Sequence, residues 1–392
     1  MPLPNQTLAC TACVKAKRKC SRQSPACLRC HSRGLDCEYP KPKQTSWVLL
    51  PETPPDDTQE EARSSPGSDP HSSVSSVDEA DAHAQLSSWF TSTNTWFAVR
   101  SQQLEVGAVV SLDIGNYVKR IRGWLGRWVT TGSNPFIHSQ IYRRSFPRSV
   151  QDALSLSCCM NETPQNEPLV MQLVEERSQA LLQEHGVDVD GRPLRSARSG
   201  SDHELGLIEH IARVHALLIY QFIGLFGESS HRRHLAQRRI GLMLSWARQM
   251  VSAAARIVPL GSKDLLASTN GQGPDEEDLI RILWHSWIVA ETIRRTWNIM
   301  SSMHGLYGIM QTGRPTPCPG GMMFTTRVGI WEARTAAEWQ EICSTKSSGL
   351  MQVADVLRLI FETESGEINE FAITILEVSY GTDIVQQWKA PN

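Results

Sequence analysis

Six cysteines lie between residues 10 and 37, spaced Cys10-x2-Cys13-x6-Cys20-x6-Cys27-x2-Cys30-x6-Cys37, while the rest of the chain holds four. Thiolates in this density are metal ligands or disulfide partners, and zinc takes four of them in a tetrahedron. The spacing is an internal repeat, because Cys10, Cys13 and Cys20 recur 17 residues later as Cys27, Cys30 and Cys37. Each half supplies three thiolates. Two zinc ions need eight ligand positions, so six cysteines suffice only if two of them bridge both metals. Each C-x2-C pair fits one turn of helix, and the third cysteine of each half returns through a loop.

The compartment bears on this choice. The N-terminus "MPLPNQTLAC" has neither a basic stretch nor an apolar one, so no signal peptide is read there. The most apolar run, "VHALLIYQFIGLF" at 214–226, has 13 residues, short of the roughly 20 that span a bilayer. A soluble intracellular protein without a membrane partner is expected, and in a reducing compartment clustered cysteines bind metal rather than form disulfides.

Charge is distributed unevenly between the halves of the repeat. The loop "VKAKRK" between Cys13 and Cys20 has four positive charges and no negative one, whereas "HSRGLD" between Cys30 and Cys37 balances Arg33 with Asp36. Residues 1–50 carry a net +7 and the remaining chain −9, within a total of −2. A basic end on an acidic chain points to a phosphate-bearing partner. A short basic helix held by a metal core can neutralise phosphates and offer lysine to guanine O6 and N7 in the major groove of double-stranded DNA. The second half reads as a structural counterpart, with Gly34 ending its helix and Pro25 stiffening the turn between halves.

The segment resembles the binuclear zinc cluster domain of fungal transcription factors of the galactose-regulator type. All six cysteines match, as does Pro25 at the family's linker proline. The resemblance implies two Zn2+ ions held by Cys10, Cys13, Cys20, Cys27, Cys30 and Cys37, with Cys10 and Cys27 bridging. It implies that Lys17 contacts bases in CGG-like triplets and that Lys19 matches a second family lysine. Lys15 and Arg18 are expected on phosphates. Where the family usually has basic residues one and three positions after the second cysteine, this chain has Val14 and Ala16, which leaves Lys15 and Arg18 to compensate. A nuclear regulator of RNA polymerase II genes is the expectation, with "KAKRK" at 15–19 and "KPK" at 41–43 available for import.

The elements around this segment divide the chain into a zinc cluster domain at 8–40, a linker at 41–88 and a helical regulatory domain at 89–392. The linker is rich in Pro, Ser and acids, with a net −8 between 51 and 85. It lacks the apolar groups that offset ordering entropy, so disorder is expected apart from "WVLL" at 47–50. It reads as a solubilising tether more readily than as an activation segment. Its prolines exclude a coiled coil, so any homodimer must form through the C-terminal domain.

Beyond residue 89 the fold class is mainly α. In "YVKRIRGWLGRWV", Tyr117, Val118, Ile121, Trp124, Leu125, Trp128 and Val129 share one helical face. Pro168 opens a second helix with Leu169, Val170, Leu173, Val174 and Leu181 on its stripe and Gly186 as its stop. Further helices are expected near 204–226, 232–256, after "PDEED", and at 331–343, 347–362 and 368–388, with loops at 187–203, 257–275 and 311–327. Trp124, Trp128, Trp246, Trp284, Trp287 and Trp297 read as core, with an inducer pocket among them as the alternative. Cys158 and Cys159 read as a buried apolar pair, and His231 and His234 as a solvated face. The acidic-hydrophobic C-terminus, net −5 over 361–392, reads as a closing amphipathic helix rather than a coactivator-binding segment.

No phosphate loop, H-E-x-x-H, nucleophile elbow or dinucleotide fingerprint occurs. The chain is therefore read as a DNA-binding regulator and not an enzyme. Its closest texture, "NPFIHSQIYRRSFPRSVQDALSLS", resembles the helical region of fungal secondary-metabolism regulators and implies a pathway-specific activator. The alternatives are a DNA-bound repressor, or a helical ligand-binding or enzyme domain carrying a structural zinc module.

Overall fold

A run of residues that is apolar on every side is buried on every side. In the computed structural model "VHALLIYQFIGLF" forms most of a central helix, Leu207–Leu225, in which every residue from Ile211 to Ile223 is buried. The model describes residues 10–16, 18, 20, 27–37, 89–100, 112–159, 167–194, 205–267, 275–314, 319–345 and 347–390. The chain divides into two units, Met1–Ser72 and Ser73–Asn392. The linker expectation at 41–88, with "WVLL", and the turn at Pro25 lie outside the described residues.

The first unit contains two short helices, α1 (Thr11–Lys15) and α2 (Leu28–Arg33). Their starts are 17 residues apart, and so are two backbone bonds, Arg18 N–H to Cys13 O and Leu35 N–H to Cys30 O, both 3.0 Å. The cysteine repeat is thus also a backbone repeat. Gly34 follows α2 with φ 60°, a left-handed conformation that a side chain would disfavour.

The second unit is built from α3 (Ile114–Thr131), α4 (Arg148–Cys159), α5 (Glu167–Glu184), α6 (Leu207–Leu225), α7 (Ser230–Arg238), α8 (Ile240–Ala267) and α9 (Glu276–Thr312). After them come α10 (Ala336–Thr345), α11 (Leu359–Glu362), α12 (Glu370–Tyr380) and α13 (Thr382–Lys389). The mainly helical class holds. The expected amphipathic face of α3 is observed, with Tyr117, Ile121, Trp124, Leu125 and Trp128 buried. Helix α6 packs against α4, α5, α7, α8 and α9, which explains why it needs no polar face. All six tryptophans expected in the core are buried.

Helix α9 starts where the acids predicted it, capped by the Asp275 side chain accepting from Asp278 N at 2.7 Å. Its 37 residues span about 55 Å. Every residue from Ala290 to Ser301 is buried, including Glu291, Arg294, Arg295 and Asn298. These polar groups satisfy the irregular backbone packed on the helix. Asn298 exchanges two bonds with the Met322 backbone, and the Trp297 indole N–H donates to Gly320 O at 2.9 Å. Glu291 accepts from Arg295 Nε and Thr325 N, both at 2.8 Å, and from Arg294 at 3.2 Å. Arg295 also donates to Pro135 O at 2.9 Å and to Thr325 O at 3.1 Å.

Several sequence expectations are corrected. The helix expected at 232–256 is two helices broken at Arg239, and α8 continues to Ala267 into the expected loop. At the break Arg239 is buried and donates to Val189 O, Ser178 Oγ and Glu175 Oε1 at 2.7–3.0 Å. The 331–343 helix begins only at Ala336. The 347–362 helix is a two-residue strand, a 3-10 turn at Val353–Arg358 and the short α11. The 368–388 helix is interrupted at Gly381. A two-residue antiparallel ladder pairs Phe324 with Met351 and Thr325 with Leu350. Leu169 is 62% exposed rather than part of the buried stripe, and Cys158 is exposed.

The closing-helix reading of the C-terminus accounts for Phe371, Ile375 and Leu376, all buried. Its acids pair with α3: Arg120 with Glu377 and Arg127 with Glu370, each at 2.6 Å. Phe361, by contrast, is 81% exposed.

Candidate metal centre and nucleic-acid interface

Helices α1 and α2 bring the C-x2-C pairs together, since one helical turn separates residues three apart in sequence. Cys10, Cys13, Cys27 and Cys30 are fully buried, and Cys20 and Cys37 are half-buried at the ends of their loops. Two sulfur tetrads result, Cys10–Cys13–Cys20–Cys27 and Cys10–Cys27–Cys30–Cys37, each with all sulfurs within 4.8 Å of one another. Cys10 and Cys27 belong to both. Among the described residues no other group of three or more His, Cys, Asp or Glu side chains is placed to hold a metal ion.

The donor set fits zinc. A tetrahedron with Zn–S bonds of about 2.3 Å has edges of about 3.8 Å. The sulfur separations are 3.8 Å for Cys10–Cys27, 3.7 Å for Cys10–Cys30, 3.7 Å for Cys13–Cys27 and 3.8 Å for Cys20–Cys10.

The cluster also carries its own electrostatic support. Burial pushes the Cys10 thiol well above its ordinary range and Cys30 up to about 12. The Cys30 backbone N–H, donating to Cys27 Sγ at 3.4 Å, draws Cys27 down to about 6. The Cys27 N–H donates to Cys37 Sγ at 3.2 Å. Six thiolates around two dications leave two negative charges, and Arg29 Nη1 donates to Cys13 Sγ at 3.7 Å from the opposite half. Arg29 is not among the candidate site residues read from the sequence. Its bond to sulfur crosses the repeat, and no local spacing signals it.

The repeat lets the two faces be compared position by position. Lys15 at the end of α1 and Arg18 after it are exposed. Their counterparts 17 residues on are Ser32 and Leu35, both exposed and uncharged. The metal scaffold is duplicated, whereas Lys15 and Arg18 have no charged counterparts; in the second half exposed Arg33 stands at the position of Ala16 and is offset by exposed Asp36. Lys17 and Lys19 lie outside the described residues.

Two half-sites sharing two thiolates define a binuclear zinc cluster. Residues 8–46 match the family model of the fungal Zn(2)-Cys(6) binuclear cluster domain, so the chain carries that domain, and the domain binds two zinc ions. Over 97% of its length the chain is 24% identical to "Transcription factor gsfR2" of Penicillium aethiopicum, covering 94% of that protein. It is 36% identical over 58 residues to the "Aflatoxin biosynthesis regulatory protein" of Aspergillus flavus, a match covering 15% of this chain and 13% of that one. It is 50% identical over 36 residues to "Regulator of drug sensitivity 1" of Saccharomyces cerevisiae, covering 9% and 4%. No solved structure matches the chain. The zinc cluster domain at 8–46, together with the full-length relative, supports a DNA-binding regulator. Among the described residues no helix is long and apolar enough to cross a membrane.

Proposed function

We propose that this protein is a nuclear, sequence-specific activator of RNA polymerase II genes in a fungal secondary-metabolite cluster, reading CGG-like triplets through its first zinc half-site. Cys10, Cys13, Cys20, Cys27, Cys30 and Cys37 hold two Zn2+ ions, with Cys10 and Cys27 bridging. Zinc supplies the fixed scaffold. The chain's own residues do the recognition: Lys17 contacts bases, and Lys15, Arg18 and Lys19 hold phosphates. Coactivators, and a homodimer formed through the helical unit, are the further partners in this reading.

The observation that carries it is the asymmetry just described, a doubled sulfur scaffold with exposed Lys15 and Arg18 on one half and Ser32 and Leu35 on the other. The full-length match to a protein named as a transcription factor, and the shorter match to an aflatoxin biosynthesis regulator, support the pathway.

The test is a binding selection of the full, zinc-loaded chain on random duplex DNA. Enrichment of CGG-like triplets is expected, and Lys17→Ala lowers that preference by about 1–3 kcal/mol. Unselective enrichment with two zinc ions bound, or triplet preference unchanged in Lys17→Ala, removes Lys17 as the reader. Fusing the helical unit to an unrelated DNA-binding domain in a reporter strain separates activation from repression.

A further inference from the structure

Helix α3 carries four basic residues within nine positions, and the fold uses only some of them. Arg120 and Arg127 are paired with Glu377 and Glu370 of α12. Lys119 and Arg122 are exposed and make no hydrogen bond or ion pair with any described residue. They stand over a groove of about 470 Å³ between the first turns of α3, the end of α6, Arg233 of α7 and the last turn of α9. That volume lies in the range of small-molecule sites. The floor is apolar, formed by Ile114, Val118, Phe226 and Met310, and no carboxylate lines the groove.

Arg233 supplies the second, independent observation. Its Nη2 donates to Gly227 O at 2.9 Å and to Glu228 O at 3.3 Å, which satisfies carbonyls at the end of α6. Its Nε is buried and has no hydrogen-bond partner. That nitrogen has no exposed surface, so a ligand meets Arg233 through the rest of its half-buried side chain, which lines the groove. The N-terminus of α3 is already capped by the Asp113 carboxylate, which accepts from Asn116 N at 2.8 Å, so the positive charge at this groove comes from side chains. Three cationic side chains therefore line one apolar groove.

We propose that this groove binds a small amphipathic anion, a carboxylate attached to an apolar chain or ring. The carboxylate is taken by Lys119, Arg122 and Arg233, and the apolar body covers Val118 and Phe226. A peptide helix would need a stripe of exposed apolar anchors, and of the groove's apolar side chains only Met310 is exposed. The site belongs to the helical unit and stands apart from the DNA-binding reading, so it can fail without affecting that reading.

The experiment is calorimetric titration of the full, zinc-loaded chain with decanoate below its micelle concentration, with decyltrimethylammonium as the matched cation. Saturable one-to-one binding of decanoate alone is expected, weakening as salt rises. The double variant Lys119→Glu/Arg122→Glu, whose side chains hold nothing in the fold, weakens decanoate by about tenfold or more at an unchanged unfolding midpoint. Val118→Trp, which fills the floor, removes binding. The proposal is overturned by equal binding of the two amphiphiles, by decanoate binding that survives the charge reversal, or by no saturable binding. Capture of an acidic amphipathic peptide without decanoate overturns it as well.

Discussion

The shared cysteines make a sharp distinction between substitutions that look equivalent in sequence. Cys10 Sγ lies 3.8 Å from Cys27, 3.7 Å from Cys30 and 3.8 Å from Cys20, and so serves both tetrads. Cys20 serves one. Structural zinc sites bind with about 10–16 kcal/mol for four ligands, so one sulfur is worth about 2.5–4 kcal/mol, or about 10²–10³ in affinity. Cys20→Ser imposes that loss on one ion, and Cys10→Ser imposes it on both. The assay is zinc content per chain by atomic emission after dialysis against chelators of graded strength. At the strength where the parent chain keeps both ions, Cys20→Ser retains one and Cys10→Ser retains none, with Cys27→Ser matching Cys10→Ser. Equal loss of a single ion in Cys10→Ser and Cys20→Ser would refute the bridging geometry. Acid should release the metal as well, because each ligand must stay deprotonated.

Other consequences follow from the helical unit and the cationic half-site. Glu291→Gln leaves Arg294 and Arg295 buried without their counter-charge, at a cost of about 3–5 kcal/mol. Eleven of the twelve tryptophans lie beyond residue 88, so indole fluorescence of the full chain in urea reads that loss, and an unchanged midpoint would show the network to be dispensable. Burial pushes His138 and His215 down to about 3. Their unfolded value is near 6.5, so the unfolded chain binds more protons between these limits and stability falls as pH drops below about 6.5. The urea midpoint should be lower at pH 5.5 than at pH 7.5, and equality would contradict the buried neutral imidazoles. Glu291 acts further down. Burial alone would raise its carboxyl, yet Arg295 and Arg294 hold it below the ordinary range, so its contribution persists above about pH 4.3 and is lost as pH falls through its folded value. Lys15→Ala should weaken binding to all duplexes alike and reduce the salt slope by about one; a change confined to one sequence would make Lys15 a base reader.

How much was legible beforehand depended on how local each feature is. The cysteine spacing pointed to the six thiols that the fold gathers into two tetrads, because zinc dictates the number and geometry of its ligands and each C-x2-C pair is local. The stripe on α3 and the acids opening α9 were legible for the same reason, since a helical face and a helix start are written within a few residues. The mostly apolar run of α6, which includes His215 and Gln221, is buried because helices from elsewhere in the chain pack around it, and nothing local names them.

What the sequence by itself determined is therefore the metal centre, the one-sided charge on it and the helical class. Tertiary structure decided the rest. Arg239 breaks the expected 232–256 helix because its partners Ser178 and Glu175 lie 61 and 64 residues away. Arg295 is core because it meets Pro135 O across 160 residues. Lys119 and Arg122 differ from Arg120 and Arg127 only in which side of α3 the acids of α12 occupy. Helical periodicity reaches a few residues along the chain, whereas a buried charge takes its partner from whatever the fold packs beside it.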